Sequence, residues 1–246
     1  MTGDKALALV TGANKGIGKE TARQLARCGL AVLLGSRDPD RGRDAALDLA
    51  GDGVEVTPVQ LDVTDMASVT TLEKRLRADH GRLDVLVNNA GVFVGASAAG
   101  TTAAHMRSVF ETNVFGVVTL IHTLLPLLGQ ARAPRIVNVS STTGSLALTA
   151  GGAGIPGDDS RRMAYCAAKA AVNMLTIHYA KAFAADPGLA HIKINSATPG
   201  YTATDMNDFQ GTRTVAEAAR VIVGLATLPD DGPSGGFFSD QGPVAW

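Results

Sequence analysis

The chain has 246 residues, of which 46% are hydrophobic and 18% are charged, and its formal net charge at pH 7 is −1. This composition supplies ample apolar material for a core and excludes an intrinsically disordered chain. The near-zero net charge argues against a broad electrostatic surface for nucleic acid or anionic membrane, so any bound anion is expected to lie in a local site.

Short aliphatic runs alternate with longer helical patterns along the whole chain. Strands are predicted at residues 6–10, 31–34, 54–60, 84–87, 135–139 and 192–196. Helices are predicted at residues 17–28, 41–50, 67–79, 102–128 and 215–227, with a further helix around Tyr165. Apolar strands that alternate with helices predict a parallel sheet covered on both faces and joined by right-handed crossovers. We therefore expect one doubly wound α/β domain over residues 1–246.

Cysteine usage and the N-terminal residues bear on location. Cys28 and Cys166 lie in predicted helices without a C-x-x-C spacing, which indicates buried thiols in a reducing compartment. The apolar run at residues 6–10 is too short for a signal peptide, and no stretch is predicted to span a membrane. The five histidines are scattered without a ligand spacing, so no metal is predicted. These features predict a soluble, cytoplasmic protein.

A glycine-rich loop with the sequence TGANKGIG occupies residues 11–18, between the first predicted strand and the first predicted helix. Glycines permit a tight turn and let a pyrophosphate approach backbone amides at the positive end of a helix. At the carboxyl end of the first strand of a doubly wound sheet, such a loop predicts dinucleotide binding. The predicted contacts are Gly12, Asn14, Lys15, Gly16, Ile17 and Gly18.

The residues after the second strand bear on which dinucleotide is bound. An acid there binds the ribose 2′-hydroxyl of NAD, whereas a base accommodates the 2′-phosphate of NADP. Ser36 stands where the NAD-type acid is expected, Arg37 follows it, and Lys15 is a second base nearby. Ser36 and Arg37 are therefore predicted contacts of NADP(H). Asp38 is the alternative, since it would read the ribose and favour NAD if the strand ended one or two residues later.

An Asn-Asn-Ala-Gly sequence over residues 88–91 follows the fourth predicted strand. Paired amides brace the end of a strand, and a small Ala-Gly step lets the backbone come close to a ligand. These properties suit a wall beside the adenosine part of the cofactor, so Asn89, Ala90 and Gly91 are predicted contacts. A plain turn is the alternative interpretation.

Tyr165 and Lys169 lie four residues apart at the start of an Ala-rich helical run, so their side chains share one helix face. A neighbouring ammonium favours the phenolate, so the pair could supply a proton donor and acceptor nearer neutral pH. Each unit of pKa shift needs about 1.4 kcal/mol of differential stabilisation. Because this spacing is also common on ordinary helices, the other motifs must decide between a catalytic and a structural pair.

Together these motifs resemble those of the short-chain dehydrogenase/reductase family. The likeness spans essentially the whole chain and comprises T-G-x-x-x-G-x-G at 11–18, N-N-A-G at 88–91, Asn113, Ser141, Y-x-x-x-K at 165–169 and P-G at 199–200. It implies a Rossmann fold in which Tyr165 is the catalytic acid/base and Lys169 lowers its pKa while holding the nicotinamide ribose. It also implies that Ser141 binds the substrate oxygen, with Ser140 as its rival, and that Asn113 helps to hold a proton-relay water.

The same resemblance assigns the remaining cofactor contacts. Asp62 and Val63, after the third strand, match the family's adenine contact. The loop after the sixth strand matches the one that holds the nicotinamide carboxamide, and its predicted contacts are Pro199, Gly200, Thr202 and Thr204. Residues 205–214 fall where the family places a mobile substrate loop.

The gap between Ser141 and Tyr165 is longer than the family usually shows, because of a stretch at about residues 149–163. It resembles an insertion of the carbonyl-reductase branch. A substrate lid, an oligomer blocker and a plain surface loop are all open interpretations, and with them the choice between monomer and homo-oligomer.

The sequence therefore predicts an NADPH-dependent carbonyl reductase (EC 1.1.1.-) that transfers hydride to a ketone or aldehyde and is reversible with a secondary alcohol. The open alternatives are a catalytically inactive NADP-binding regulator and an NAD-dependent secondary-alcohol dehydrogenase. No nucleic-acid or membrane partner is predicted. A medium-sized apolar carbonyl substrate would be indicated by a cleft lined by Phe93, Val94, Tyr201, Met206 and Phe209.

Overall fold

The computed structural model describes residues 5–152 and 159–246. The strands within these ranges are β1 Leu7–Val10, β2 Ala31–Ser36, β3 Thr57–Gln60, β4 Val85–Asn88, β5 Arg135–Val139, β6 Lys193–Ala197, β7 Phe237–Ser239 and β8 Gly242–Pro243. The helices are α1 Gly16–Arg27, α2 Pro39–Gly51, α3 Met66–Asp79, α4 Ala103–Phe110, α5 Gly116–Leu128, α6 Leu146–Ala150, α7 Met163–Ala185 and α8 Val215–Ala226. Short helical turns are described below.

The eight strands form one sheet in the order β3-β2-β1-β4-β5-β6-β7-β8. All neighbouring pairs are parallel except β7 and β8, which pair antiparallel. The strand order reverses direction between β1 and β4, which makes the carboxyl ends of these two strands the expected ligand-binding point. The predicted doubly wound parallel sheet is confirmed.

Side chains alternate along each strand between two apolar cores, one on each face of the sheet. In β1, Leu9 belongs to the core that α3, α5 and α7 complete. Its neighbour Val10 belongs to the core that α1, α2 and α8 complete. Helices therefore cover both faces, and the ends of the strands are left for binding.

The C-terminal part of the sheet was not predicted, because β7 and β8 are only three and two residues long and lie in a Gly- and Pro-rich segment. The two edge strands of the sheet, β3 and β8, each contain a proline, Pro58 and Pro243. The prediction of a buried Cys28 is wrong, since this free thiol is exposed at the end of α1.

The predicted helix over residues 102–128 is present but not uniform. A π-helical turn, Glu111–Phe115, separates α4 from α5. Close packing follows directly after this turn, because a Cβ added at Gly116 would lie 2.9 Å from Cγ2 of Val63 at the end of β3. Turns of this kind are frequent at functional sites.

The sequence prediction that no stretch could span a membrane needs correction for the same helix. Ala103–Leu128 is long and apolar enough by length and composition alone, with a mean hydropathy of 1.4 and 44% of the window buried. A helix that covers a sheet has the same composition, and Leu120, Ile121 and Leu124 of this stretch lie in the core.

A chain of buried polar side chains crosses the sheet and reaches α7. Asn88 Nδ2 donates to Asn138 Oδ1 at 2.8 Å, and Asn138 Nδ2 donates to Thr176 Oγ1 at 2.9 Å. Ser196 Oγ donates to the same Thr176 oxygen at 2.9 Å. Hydrogen bonds that are fully enclosed specify geometry strongly, because an unpaired polar group in the interior is costly. This chain of bonds fixes α7 to β4, β5 and β6.

We expect Asn138→Leu to lower the free energy of unfolding by about 1–3 kcal/mol, because it leaves the buried Asn88 amide without its acceptor. Urea unfolding measures the change. Ser196→Ala is the matched control, since Thr176 keeps its bond from Asn138 and the loss is about 1 kcal/mol. Equal stability of Asn138→Leu and the natural chain would contradict this account of the polar chain.

Candidate active site

Helix α7 presents Tyr165 and Lys169 on one face, as the spacing predicts. Tyr165 is partly exposed to a cavity, whereas Lys169 is buried. Lys169 Nζ donates a 2.6 Å hydrogen bond to the Val139 carbonyl at the end of β5 and lies 5.4 Å from the centroid of the Tyr165 ring. Phe93 packs edge-on against the same ring at 5.8 Å. The phenol is therefore held between an apolar ring and an ammonium.

Burial dominates the protonation of this pair. It raises the pKa of Tyr165 to about 12, the Cys166 thiol adds to the rise, and the Arg162 guanidinium opposes it. Burial also lowers the pKa of Lys169 to about 8. The expected lowering of the tyrosine pKa by Lys169 is not what this structure has, because the ammonium is engaged with the Val139 carbonyl. At neutral pH the Tyr165 hydroxyl is a proton donor.

The two serines after β5 have different surroundings. Ser140 is buried and its Oγ donates to the Lys169 carbonyl at 3.4 Å. Ser141 Oγ accepts from Thr143 N at 3.2 Å and from Thr143 Oγ1 at 3.0 Å. With two bonds accepted, the hydroxyl hydrogen of Ser141 is the group it can offer to a substrate oxygen. This difference favours Ser141, although both serines border the cavity.

A glycine that the sequence reasoning missed sets the distance between these elements. Gly144 ends the 3-10 turn Thr142–Gly144, which Ser141 caps. A Cβ at Gly144 would lie 2.7 Å from the backbone carbon of Lys169 and 2.8 Å from its Cβ. The turn that carries Ser141 therefore rests directly on α7, and no larger residue fits between them. Only a close-packed structure shows this contact, because a lone glycine in sequence predicts merely a turn.

Asn113 lies in the π-helical turn and is buried. Its side chain binds the backbone of Val92 twice: Oδ1 accepts from Val92 N at 2.8 Å, and Nδ2 donates to Val92 O at 3.0 Å. Both polar atoms of the side chain are thus used to hold the segment that leads to Phe93. Contact with a relay water would fall to the main chain of Asn113.

One cavity of about 570 Å³ joins these residues to the loop after β6. The predicted site residues that border it are Ile17, Ser141, Tyr165, Pro199, Gly200, Thr202 and Thr204. Phe93, Tyr201 and Met206 also border it, as the expected apolar cleft requires. The other two members of that cleft lie elsewhere, since Val94 packs in a separate apolar cluster and Phe209 is 65% exposed.

The glycine-rich loop packs tightly against the end of β4. A Cβ at Gly12 would lie 2.9 Å from the Ala90 Cα, and one at Gly18 would lie 2.4 Å from Asn89 Nδ2. Asn89 Nδ2 donates to the carbonyls of Thr11 and Gly12 at 2.8 and 3.1 Å. Asn89 and Ala90 thus brace this loop. Gly91 is nearby, because its added Cβ would lie 3.6 Å from Asn113 Oδ1.

The N-terminus of α1 suits a dinucleotide phosphate. Gly16 has a positive φ of 57°, and Lys15, at the N-cap position, makes no side-chain cap to the helix. The first amides of α1 are therefore suited to an anionic ligand, beside partly exposed Asn14. Lys15 Nζ forms an ion pair with Asp205 at 2.5 Å, so this base contacts the substrate loop in the structure.

The end of β2 distinguishes the two cofactor interpretations. The strand ends at Ser36, which is buried, and Arg37 is exposed. Asp38 caps α2, because its Oδ1 accepts from the backbone amides of Asp40 and Arg41 at 3.0 and 3.2 Å. The alternative in which the strand continues to Asp38 is therefore wrong. The residues at this point fit a 2′-phosphate better than a free ribose hydroxyl.

The predicted adenine contact is less open. Asp62 Oδ1 accepts from Thr64 N at 2.9 Å and from Thr64 Oγ1 at 2.7 Å, which closes a local turn. Val63 is buried against Gly116. The second carboxylate oxygen of Asp62 is the atom that remains for an adenine amine, and this contact stays a prediction.

Part of the predicted insertion at 149–163 is described. It begins at the end of α6 and includes the turn Asp159–Arg161 before α7, while residues 153–158 lie outside the described residues. The role of the insertion therefore stays open.

Comparisons with known proteins agree with this geometry. The family model described as short chain dehydrogenase matches residues 6–214. (−)-Isopiperitenone reductase of Mentha piperita is 36% identical, and the match covers 94% of this chain and 95% of that protein. Carbonyl reductase (NADPH) 1 of Bos taurus is 34% identical over 100% of both chains. The crystal structure of an NADPH-bound carbonyl reductase from chicken fatty liver matches with a TM-score of 0.84 at 28% identity, covering 98% of this chain and 99% of that one.

We expect Gly144→Ala to destabilise the protein by about 1–3 kcal/mol, because its methyl group would overlap the backbone of Lys169. Gly224→Ala is the matched control: nothing lies within 4 Å of its added Cβ in α8, and it should stabilise by up to about 1 kcal/mol. Urea unfolding distinguishes the opposite signs. If both variants were equally stable, the tight contact between the turn and α7 would be refuted.

Proposed function

The chain belongs to the short-chain dehydrogenase/reductase family, and we propose that it is an NADPH-dependent reductase of ketones or aldehydes that also runs in reverse on secondary alcohols. One observation carries the proposal. A single cavity is bordered by the proton donor Tyr165 and by Ser141, and also by Ile17 and Thr204 from the two loops assigned to the cofactor. A carbonyl group held in this cavity would lie beside both the donor and the cofactor site.

The cofactor is NADP(H). The bovine and chicken relatives are described as carbonyl reductases of NADPH, and the exposed Arg37 beside Ser36 suits the 2′-phosphate that distinguishes it. When bound, NADPH supplies a hydride to the carbonyl carbon. The residues proposed to hold it are Gly12, Asn14, Lys15, Gly16, Ile17, Gly18, Ser36, Arg37, Asp62, Val63, Asn89, Ala90, Gly91, Tyr165, Lys169, Pro199, Gly200, Thr202 and Thr204.

Tyr165 is the proposed acid. With a pKa near 12, its hydroxyl is protonated throughout the physiological range and can deliver a proton to the oxygen that gains charge during reduction. The same pKa makes the phenolate scarce at neutral pH. The cofactor-free site is therefore better prepared for reduction than for oxidation of an alcohol.

Ser141 is proposed to hold the carbonyl oxygen. Its oxygen already accepts two bonds from Thr143, which orients the hydroxyl hydrogen as a donor. A donor already in place where negative charge develops stabilises the transition state without reorganisation. Ser141 and Tyr165 together would then bind one substrate oxygen.

Lys169 is proposed to hold the nicotinamide ribose and to support the phenol electrostatically. Its ammonium has three donors and uses one on the Val139 carbonyl. Asn113 is proposed to hold a relay water by its main chain, because its side chain is bound to Val92. Both roles place a proton path behind the tyrosine, away from the cavity.

An inactive NADP-binding regulator and an NAD-dependent alcohol dehydrogenase are the alternatives that the experiments separate. The regulator would bind NADPH without reducing any carbonyl compound. The dehydrogenase would bind NADH as well as NADPH. The capping role of Asp38 weighs against the second, because that carboxylate already accepts two backbone amides.

We expect Tyr165→Phe to lower kcat/KM for ketone reduction by about 10²–10⁴, because the ring and its packing on Phe93 remain and only the proton donor is lost. NADPH affinity, followed by fluorescence titration, should change little. Tyr179→Phe is the control, since that phenol packs on Phe183 at 5.7 Å on the far part of α7. Full activity of Tyr165→Phe would refute the mechanism.

We expect Arg37→Ala to weaken NADPH binding by about tenfold to a hundredfold, because one charge-assisted hydrogen bond to phosphate is lost. NADH has no 2′-phosphate, so its affinity should not change. Arg43→Ala is the control, because that exposed arginine of α2 forms an ion pair with Asp40. Equal loss of NADH and NADPH affinity in Arg37→Ala would contradict a phosphate contact.

A further inference from the structure

We infer that the carbonyl substrate of this cavity carries a carboxylate, which Arg161 and Arg162 bind. The inference rests on the reductase function proposed above and specifies its substrate class. Both arginines border the cavity that also contains Tyr165 and Ser141. Neither residue is among the sequence motifs, and the proposed reduction of a simple ketone uses neither of them.

The backbone of this arginine pair is fixed on two sides. Ala96 N donates to the Arg161 carbonyl at 3.2 Å, and Ala96 forms a parallel β-bridge with Arg162. Cys166 N donates to the Arg162 carbonyl at 2.8 Å, which starts helix α7. The two side chains therefore leave a well-held backbone three and four residues before Tyr165.

The guanidinium groups are held by neutral partners. Arg161 NH2 donates to the Gly95 carbonyl at 3.2 Å, and the Arg162 guanidinium carbon lies 5.8 Å from the centroid of the Tyr201 ring. Within residues 5–152 and 159–246, neither arginine forms an ion pair with a carboxylate. Both charges are therefore available to an anionic ligand, and a guanidinium fork matches a carboxylate in geometry.

The acids near the cavity do not cancel this charge. Asp208 is the acidic residue among the described lining residues, and it lies on the exposed substrate loop with a φ of 50°. Asp205, three residues earlier, is paired with Lys15. Two guanidinium groups thus face one carboxylate across the cavity, and the balance is positive.

The position of Arg162 limits how far the anion can be from the reacting carbonyl. Its charge acts on the Tyr165 phenol, which is the proposed proton donor to the carbonyl oxygen. A ligand that meets Tyr165 with its carbonyl and Arg162 with its carboxylate has these groups only a few atoms apart. Such compounds are short oxo acids. Reduction adds hydride and a proton across their C=O bond and leaves the carboxylate unchanged.

The test compares two probes of nearly equal shape, the anion 3-oxobutanoate and the neutral 3-oxobutanamide. Their dissociation constants are measured by calorimetry on the protein saturated with NADP⁺, which cannot reduce either probe. We expect the anion to bind at least about tenfold more tightly than the amide. In the double variant Arg161→Gln, Arg162→Gln the two affinities should become equal, while Arg132→Gln on the distant surface keeps the preference.

A second measurement does not depend on the variants. Raising the salt concentration from 50 to 500 mM should weaken binding of the anion and leave binding of the amide unchanged. Equal affinities of the two probes for the natural protein, or no measurable binding of 3-oxobutanoate, would overturn the inference.

Turnover with NADPH separates this inference from the proposed function. If neutral ketones are reduced but the charge preference is absent, the inference fails and the reductase function stands. If the preference is present but no carbonyl compound is reduced, the anion site stands and the reductase function fails.

Discussion

The site depends on one close contact, the packing of the turn after β5 on the backbone of α7. Gly144 leaves no space for a side chain between them, and the Lys169 ammonium closes the same junction from the other side by binding the Val139 carbonyl. Ser141 is carried by the turn and Tyr165 by the helix. Because both are rigidly attached to this junction, their separation is determined by backbone packing and not by flexible side chains.

Buried polar bonds extend this rigidity across the sheet. The amides of Asn88 and Asn138 and the hydroxyl of Thr176 connect three strands to α7, while Asn89 braces the glycine-rich loop. The catalytic helix and the cofactor loop are thereby tied to the same strand ends. The substrate side differs, since the Asp205–Asn207 turn is connected to the glycine-rich loop by the exposed ion pair of Lys15.

Sequence patterns predicted what local periodicity and spacing encode. The order of strands and helices, the shared face of Tyr165 and Lys169, and the glycine-rich loop after β1 are of this kind. Features that depend on long-range contacts were not predictable: the π-helical turn at Asn113, the role of Gly144 and the carbonyl partner of Lys169. The strands β7 and β8 escaped prediction because segments of two or three residues acquire strand geometry only from a neighbouring strand.

The prolines in the two edge strands have a consequence for colloidal behaviour. Pro58 in β3 and Pro243 in β8 lack the N–H group that an incoming strand would need. Short edge strands that contain proline are poor templates for aggregation by strand addition. Both borders of the sheet are thus protected even when the cofactor cleft is open, so concentrated protein should resist fibre-like growth from its sheet edges.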